Sequence, residues 1–226
     1  LEELPKRIAV VGGGYIGLEL GITFRMLGSD VTIIEAMDSV LPIFDKELRR
    51  PLEIAIKKQK IAVHTKVFAK GVEPQDDGSV DLLYSPKDAA EGSEPERLNV
   101  DKVLVTVGRR PTSAALAPTG VALDERGFVK VNNKCETNMK GVYAIGDVCD
   151  LGEMLAHVAS FQGEMVAEII AGEPRAYEPA AVPAIVFTEP EIVSVGLSPE
   201  EAVAAGHPVI TGKFPLAANG RALTQE

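Results

Sequence analysis

Residues 7–35 read RIAVVGGGYIGLELGITFRMLGSDVTIIE, and this stretch decides the fold. The run Arg7 to Val11 is a short, continuous apolar segment ending in glycines, the pattern of a strand buried on both faces of a parallel sheet. Gly14 to Leu27 carries helical spacing, Gly28-Ser29-Asp30 breaks it, and Val31 to Ile34 reads as a second strand. Strand, tight turn, helix and strand make a βαβ unit, whose crossover is expected to be right-handed.

The turn carries Gly12, Gly14 and Gly17, a G-x-G-x-x-G placed between strand and helix. In that context the glycines permit a tight turn, close approach of a pyrophosphate, and packing of helix on strand. The helix N-terminus after Gly14 adds N–H donors and a positive dipole end for the phosphate charge. Glu35 ends the second strand about 20 residues beyond the glycines, where a carboxylate accepts from both adenosine ribose hydroxyls and repels a ribose 2′-phosphate. Ala36, Met37 and Asp38 supply no arginine for such a phosphate. The expected ligand is therefore NAD, in preference to NADP.

Working outward, Asp45 to Lys58 reads as a helix and Ile61 to Val63 as a short strand. Val67 to Glu73 and Val80 to Tyr84 read as an antiparallel meander around the turn Gln75-Asp76-Asp77-Gly78-Ser79. Ser85 to Pro95 has the composition of a surface loop, and Lys102 to Val107 is a buried strand ending in Gly108-Arg109-Arg110-Pro111. Strands are expected at Phe128 to Val131 and Val142 to Ile145, and a helix at Glu153 to Ala171, ended by Gly172. A linker at Pro174 to Pro183 leads to strands at Ile185 to Thr188 and Ile192 to Val195 and a helix after Ser198-Pro199. The expected class is α/β. Domain boundaries are placed at 1–116, 117–180 and 181–226.

With 226 residues, 46% of them hydrophobic, the chain can bury a substantial core without disulfide or metal staples. A formal charge of -10, with no cluster of Lys and Arg, argues against nucleic acid and anionic membrane surfaces as partners. Cys135 and Cys149 stand in neither a CxxC nor a zinc-ligand arrangement, so reduced thiols and no metal site are expected. Residues 1–7 lack the apolar core of a signal peptide and no apolar run approaches a membrane span, so a cytoplasmic location is expected. A start without Met, almost directly in a strand, suggests a piece of a longer chain.

Four further stretches extend the pattern of Gly12 to Gly21: Thr106-Val107-Gly108-Arg109-Arg110-Pro111, then Thr137-Asn138 through Gly141-Val142-Tyr143-Ala144-Ile145-Gly146-Asp147, then Met154-Leu155-Ala156-His157, then Val182 to Glu191. Together they resemble the pyridine nucleotide-disulfide oxidoreductase family, in order and along essentially the whole chain, and most of all its dihydrolipoamide-oxidising branch. The resemblance implies a Rossmann-like FAD/NAD(P)-binding fold with an antiparallel meander, part of the flavin domain, and the start of an α+β dimerisation domain. It implies that Gly12, Gly13, Gly14, Tyr15, Ile16, Gly17, Leu18 and Glu19 wrap NAD, with Glu19 near the flavin. Glu35 holds the ribose, Val67 flanks the adenine and Gly108 lets the loop backbone approach. Tyr15 is either an aromatic gate over the flavin or a helix-packing residue. Asp147 is implied to bind the FAD ribityl chain, and Met154, Leu155, Ala156 and His157 to open a helix toward the flavin.

The same resemblance implies a homodimer, a place in a 2-oxo acid dehydrogenase complex, and electrons passing between NAD and a dithiol through FAD and a redox disulfide. Neither Cys135 nor Cys149 matches that disulfide, so no catalytic residue is expected within the chain. An NADH-dependent reductase of another disulfide or of a metal ion, a soluble transhydrogenase, and a non-catalytic NAD-binding module remain alternatives. His64 and His207 lack any carboxylate or nucleophile at an interpretable spacing and read as structural. Glu189 and Glu191 read as solvated or interface residues, and Arg109 and Arg110 as loop residues at a domain junction.

Overall fold

A computed structural model describes residues 1–90 and 92–224. Glu91, which falls in the expected loop Ser85–Pro95, lies outside the described residues, as do Gln225 and Glu226. The chain divides into two compact units, one formed by Leu1–Val105 with the segment from Ala184 onward, the other by Thr106–Pro183.

In the first unit, β1 (Arg7–Val11), β2 (Asp30–Ile34), β3 (Ala62–His64) and a later strand, Lys102–Val105, form a parallel sheet. The sheet order places β1 between β2 and Lys102–Val105, with β3 outside β2. The register of β1 on β2 runs from Arg7 opposite Asp30 to Val11 opposite Ile34. Side chains alternate across a strand, and here both faces are covered. Ile8 and Val10 pack with Leu18, Ile22, Leu52 and Ile56 on the side of helices α1 (Tyr15–Leu27) and α2 (Lys46–Lys58). Ala9 and Val11 pack on the other face with Leu82, Tyr84 and Val100. That two-sided burial is why β1 has no polar alternation. Full burial of a side chain such as Leu18 or Ile33 is worth about 2 kcal/mol.

The second face is covered by the antiparallel meander β4 (Val67–Pro74), β5 (Val80–Pro86) and β6 (Glu96–Val100); Lys102–Val105 is then β7. Strand β6 was not anticipated: Glu96, Arg97 and Asn99 leave Leu98 and Val100 as its only apolar positions, too few to mark a strand. β4 and β5 are longer than the periodicity suggested and shift register between Ala69 and Gly71. Helix α1 ends as its sequence indicates, with Gly28 in the left-handed region at φ 111° and its N–H donated to Arg25 O. The segment from Ala184 adds the pair β8 (Pro183–Val186) and β9 (Ile192–Val195), and a short helix, Pro199–Ala204, started by a capping box between Ser198 and Glu201.

The second unit is mostly irregular around α3 (Ala156–Ile170), so the Pro199–Ala204 helix is α4. The strands expected at Phe128 to Val131 and Val142 to Ile145 are absent among the described residues. Val129 and Tyr143 make only isolated bridges, to Leu123 and Cys149 and to Glu136 respectively. Residues 128–130 do meet 122–124, through Asp124 N–H to Phe128 O and Lys130 N–H to Ala122 O, and 142–144 meet 135–137 through Thr137 N–H to Val142 O and Ala144 N–H to Cys135 O, but each pairing ends after a single bridge, too short for a strand. Helix α3 begins at Ala156, three residues after the expected start, because Leu155 has an extended backbone and forms its N-cap.

Candidate functional site

The glycines between β1 and α1 differ in what the chain asks of them. Gly12 has φ 109°, a region closed to ordinary side chains, and its N–H donates to Ile34 O at 2.8 Å. A Cβ on Gly13 would lie 3.0 Å from both Glu35 Oε2 and Val40 Cγ1. Gly14 has an ordinary φ of -74° at the α1 N-cap, and a Cβ there meets no heavy atom within 4 Å. Nothing in the chain itself demands glycine at Gly14. Gly17 is buried inside α1. No side chain caps α1 and its first turn carries no acid, so the N-terminal N–H groups and dipole face the turn without a protein carboxylate of their own.

Glu35 is buried, with 7% of its surface exposed. Its Oε2 accepts from Gly13 N–H at 2.5 Å and its Oε1 from Met37 N–H at 2.7 Å. The backbone is held as firmly, since Glu35 N–H donates to His64 O at 2.8 Å and Glu35 O accepts from Val67 N–H at 3.1 Å. Val67 thus stands next to Glu35, while its side chain is buried with Val11 and Ile34. Tyr15 is half-buried and packs against the core on the helix side of the sheet. Glu19 accepts from Phe187 N–H at 2.8 Å, which fastens α1 to the segment from Ala184.

The fold also brings to this loop a cation that the local sequence does not show. Arg49 of α2 donates through Nη1 to Ser39 Oγ and to Val40 O, the latter at 3.1 Å. Its Nε is buried with no hydrogen-bond partner among the described residues. Reading only the three residues after Glu35 missed it, because α2 returns to the loop through space.

In the second unit, Asp147 sits on the one-turn 3₁₀ helix Gly146–Val148. Arg109 donates to Asp147 at 2.6 Å and reaches Met154 O at 3.4 Å, so Asp147 and the start of α3 share one guanidinium. Gln162, fully buried, holds the same turn from within: its Oε1 accepts from Gly146 N–H and its Nε2 donates to Leu151 O, both at 2.7 Å. Gly146 has φ 66°, and a Cβ there would stand 2.9 Å from Ala159 Cβ. Met154 and Leu155 are half-buried, Ala156 and His157 are exposed at the N-terminus of α3, and Gly108 has φ 113°. Sequence reasoning overlooked Gln162. The buried positions of α3 are Val158, Gln162, Met165 and Val166, so helical periodicity already places Gln162 on the inner face.

Cys135 and Cys149 are free and buried. Burial, with the charge of Cys149 second, pushes the Cys135 thiol up to about 11; burial also raises Cys149. Protonated thiols of this kind are poor nucleophiles. No cluster of His, Cys, Asp or Glu among the described residues is arranged to hold a metal, and no helix of the described residues is long and apolar enough to cross a membrane.

The glycine turn and the buried carboxylate meet between β1, α1 and the end of β2, and comparison with known proteins shows which family carries them. The profile of the pyridine nucleotide-disulphide oxidoreductases matches residues 1–163, and that of their dimerisation domain residues 182–226. The chain belongs to the pyridine nucleotide-disulphide oxidoreductase family. Within this family it is similar to dihydrolipoyl dehydrogenases: 42% identical to that of Bacillus subtilis, over 99% of the chain and 47% of the relative. It is 47% identical to that of Thermus scotoductus, over 99% of the chain and 48% of the relative. Among solved structures, the HOCl-induced flavoprotein disulfide reductase RclA from Escherichia coli superposes with a TM-score of 0.85 at 28% identity, over 99% of the chain and 50% of that structure. LpdA from Mycobacterium tuberculosis gives 0.85 and 28%, over 99% of the chain and 47% of that structure. The chain thus spans about half the length of the relatives it matches. The α/β fold class and the family resemblance drawn from the motifs both hold.

Proposed function

We propose that the chain is the NAD-binding and partial flavin-binding portion of a flavin-dependent disulfide oxidoreductase that oxidises dihydrolipoamide with NAD⁺, giving lipoamide and NADH. The observation that carries the nucleotide assignment is the buried Glu35 carboxylate beside the glycine turn. The residues present fit NAD. Gly13 leaves no space for a Cβ, Gly14 presents bare backbone, and the end of α1 offers uncapped donors for a pyrophosphate. Each Glu35 oxygen accepts one backbone N–H and keeps lone-pair capacity for a ribose hydroxyl. In the same reading Tyr15, Ile16 and Glu19 border the nucleotide, while Gly17, Leu18 and Val67 are buried and shape the turn and the strand end from within; Gly108 lies in the other unit, where its φ of 113° leaves the loop backbone bare.

A fit to FAD is supported at the Asp147 turn. Its carboxylate is half-exposed and held by Arg109, and the turn that carries it is fixed by Gln162 through Gly146 N–H and Leu151 O, so an acceptor for polyol hydroxyls stands in a defined place. Met154, Leu155, Ala156 and His157 open α3 with no side-chain cap, so the helix start is available to an electron-rich ring edge. When bound, the nicotinamide and flavin supply the hydride and electron chemistry; the residues here hold and orient them. The names of the relatives support dihydrolipoamide as the substrate.

In this reading residues 1–116 form the NAD-binding domain, 117–180 part of the FAD-binding domain and 181–226 the start of the dimerisation domain. The exposed Phe187, Ile210, Phe214 and Leu216 supply apolar surface for a homodimer. Membership of a 2-oxo acid dehydrogenase complex and a cytoplasmic location belong to the same proposal, the latter supported by two unpaired thiols. Calorimetric titration with NAD(H) and NADP(H) tests the nucleotide assignment: tighter NAD(H) binding is expected, and equal or tighter NADP(H) binding overturns it. Dihydrolipoamide-dependent NAD⁺ reduction by the full-length protein tests the substrate.

A further inference from the structure

Each oxygen of the Glu35 carboxylate is engaged by the backbone of a different loop. Gly13, whose N–H reaches Oε2, lies in the middle of the glycine turn; Met37, whose N–H reaches Oε1, lies in the loop that leaves β2. The same two loops are joined a second time, where Leu41 N–H donates to Gly13 O at 2.9 Å. The contact is tight, since a Cβ on Gly13 would press on both Glu35 Oε2 and Val40 Cγ1 at 3.0 Å. The Gly13 N–H is buried, and leaving it without an acceptor is costly, so the carboxylate supports the turn.

We propose that Glu35 is a positioning residue for the phosphate-binding turn, so that one carboxylate sets both the choice of ribose and the shape of the pyrophosphate cradle. The proposal rests on the dinucleotide reading above and deepens it. A carboxylate can accept at both ends; a carboxamide of the same shape cannot. In Glu35→Gln the Nε2 group faces Gly13 N–H or Met37 N–H, donor against donor, and either the turn or the loop must shift. Replacing Glu35 therefore does more than remove a ribose acceptor or admit a 2′-phosphate. It disturbs the turn for every ligand with a pyrophosphate, including one with no ribose hydroxyls at all.

The test begins with the nucleotide-free chain. Amide hydrogen exchange at Gly13 and Met37 is expected to be slow in the wild type and, in Glu35→Gln, about tenfold or more faster at the one of the two that faces the Nε2 group, the loss of one charge-assisted hydrogen bond there. Exchange in the wild type as fast as that of open loop amides overturns the proposal, even if the variant fails to fold. ADP and 2′,3′-dideoxy-ADP are then titrated into both proteins. The expected result is that Glu35→Gln weakens both ligands by about tenfold or more. If it weakens ADP but binds dideoxy-ADP as well as the wild type does, Glu35 acts on the ribose alone and the proposal fails. Gly13→Ala approaches the contact from the other side and is expected to weaken dideoxy-ADP too; unchanged binding counts against the brace. Should the wild type bind neither ligand, it is the dinucleotide reading that fails, while the exchange rates still decide the role of Glu35 in the turn.

Discussion

At Glu35 the chemistry and the fold meet in one side chain. Replacement by Ala removes a buried acceptor with charge-assisted hydrogen bonds, and NAD(H) binding is expected to weaken by about 1.5–3 kcal/mol, read by calorimetry. Gly14 gives a complementary test. Because a Cβ there meets no protein atom, Gly14→Val should leave the circular dichroism spectrum intact while abolishing nucleotide binding. A folded Gly14→Val that still binds NAD would remove the glycine-turn assignment. The thiols supply a pH prediction. Folding favours the protonated form of Cys135, whose ordinary value of 9.0 is pushed up to about 11 by burial. Its contribution to stability is complete below pH 9.0 and is lost as the pH rises toward about 11. Urea midpoints should therefore fall across that window, and less steeply in Cys135→Ala. At neutral pH both thiols of the native chain should resist a disulfide reagent such as dithionitrobenzoate.

Among the elements, α3 shows how a helix can hold a loop it does not contain. Gln162 spans from α3 to the turn that carries Asp147, satisfying Gly146 N–H and Leu151 O at once. Gln162→Leu keeps the volume but orphans both backbone groups, at a cost of about 2–4 kcal/mol to the Thr106–Pro183 unit. Cys135 and Cys149 lie within that unit, so their labelling rate in increasing urea reports its opening directly; an unchanged midpoint in Gln162→Leu would show that the turn does not depend on the clamp.

For the whole chain, the division into two compact units makes separate unfolding of each the expected outcome, and each unit needs its own probe. Electron transfer to a dithiol requires a nucleophilic thiolate, whereas both cysteines here are buried and their thiols are held protonated. The 226-residue polypeptide supplied with FAD is accordingly expected to bind NAD(H) without reducing NAD⁺ at the expense of dihydrolipoamide. Turnover in that absorbance assay would assign the cysteines a role their burial denies them.

The sequence by itself determined the family, from motifs in order along the chain, and it determined the βαβ unit, two of the three meander strands and the carboxylate at the end of β2. The last three are local: an apolar run closed by glycines, a helical period and a residue at a fixed distance from the turn all lie within a few dozen positions. Tertiary structure alone decided what depends on partners far along the chain. The segments around Val129 and Tyr143 have strand-like composition but no neighbouring strand, so they remain isolated bridges. Arg109 meets Asp147 across 38 positions of sequence, and Glu19 accepts from Phe187 N–H across 168. The second role of Glu35 is of the same kind. A carboxylate at a strand end is visible in the sequence, but the direction of its two oxygens follows from where packing brings Gly13 and Met37, and a hydrogen bond exists only where both groups arrive.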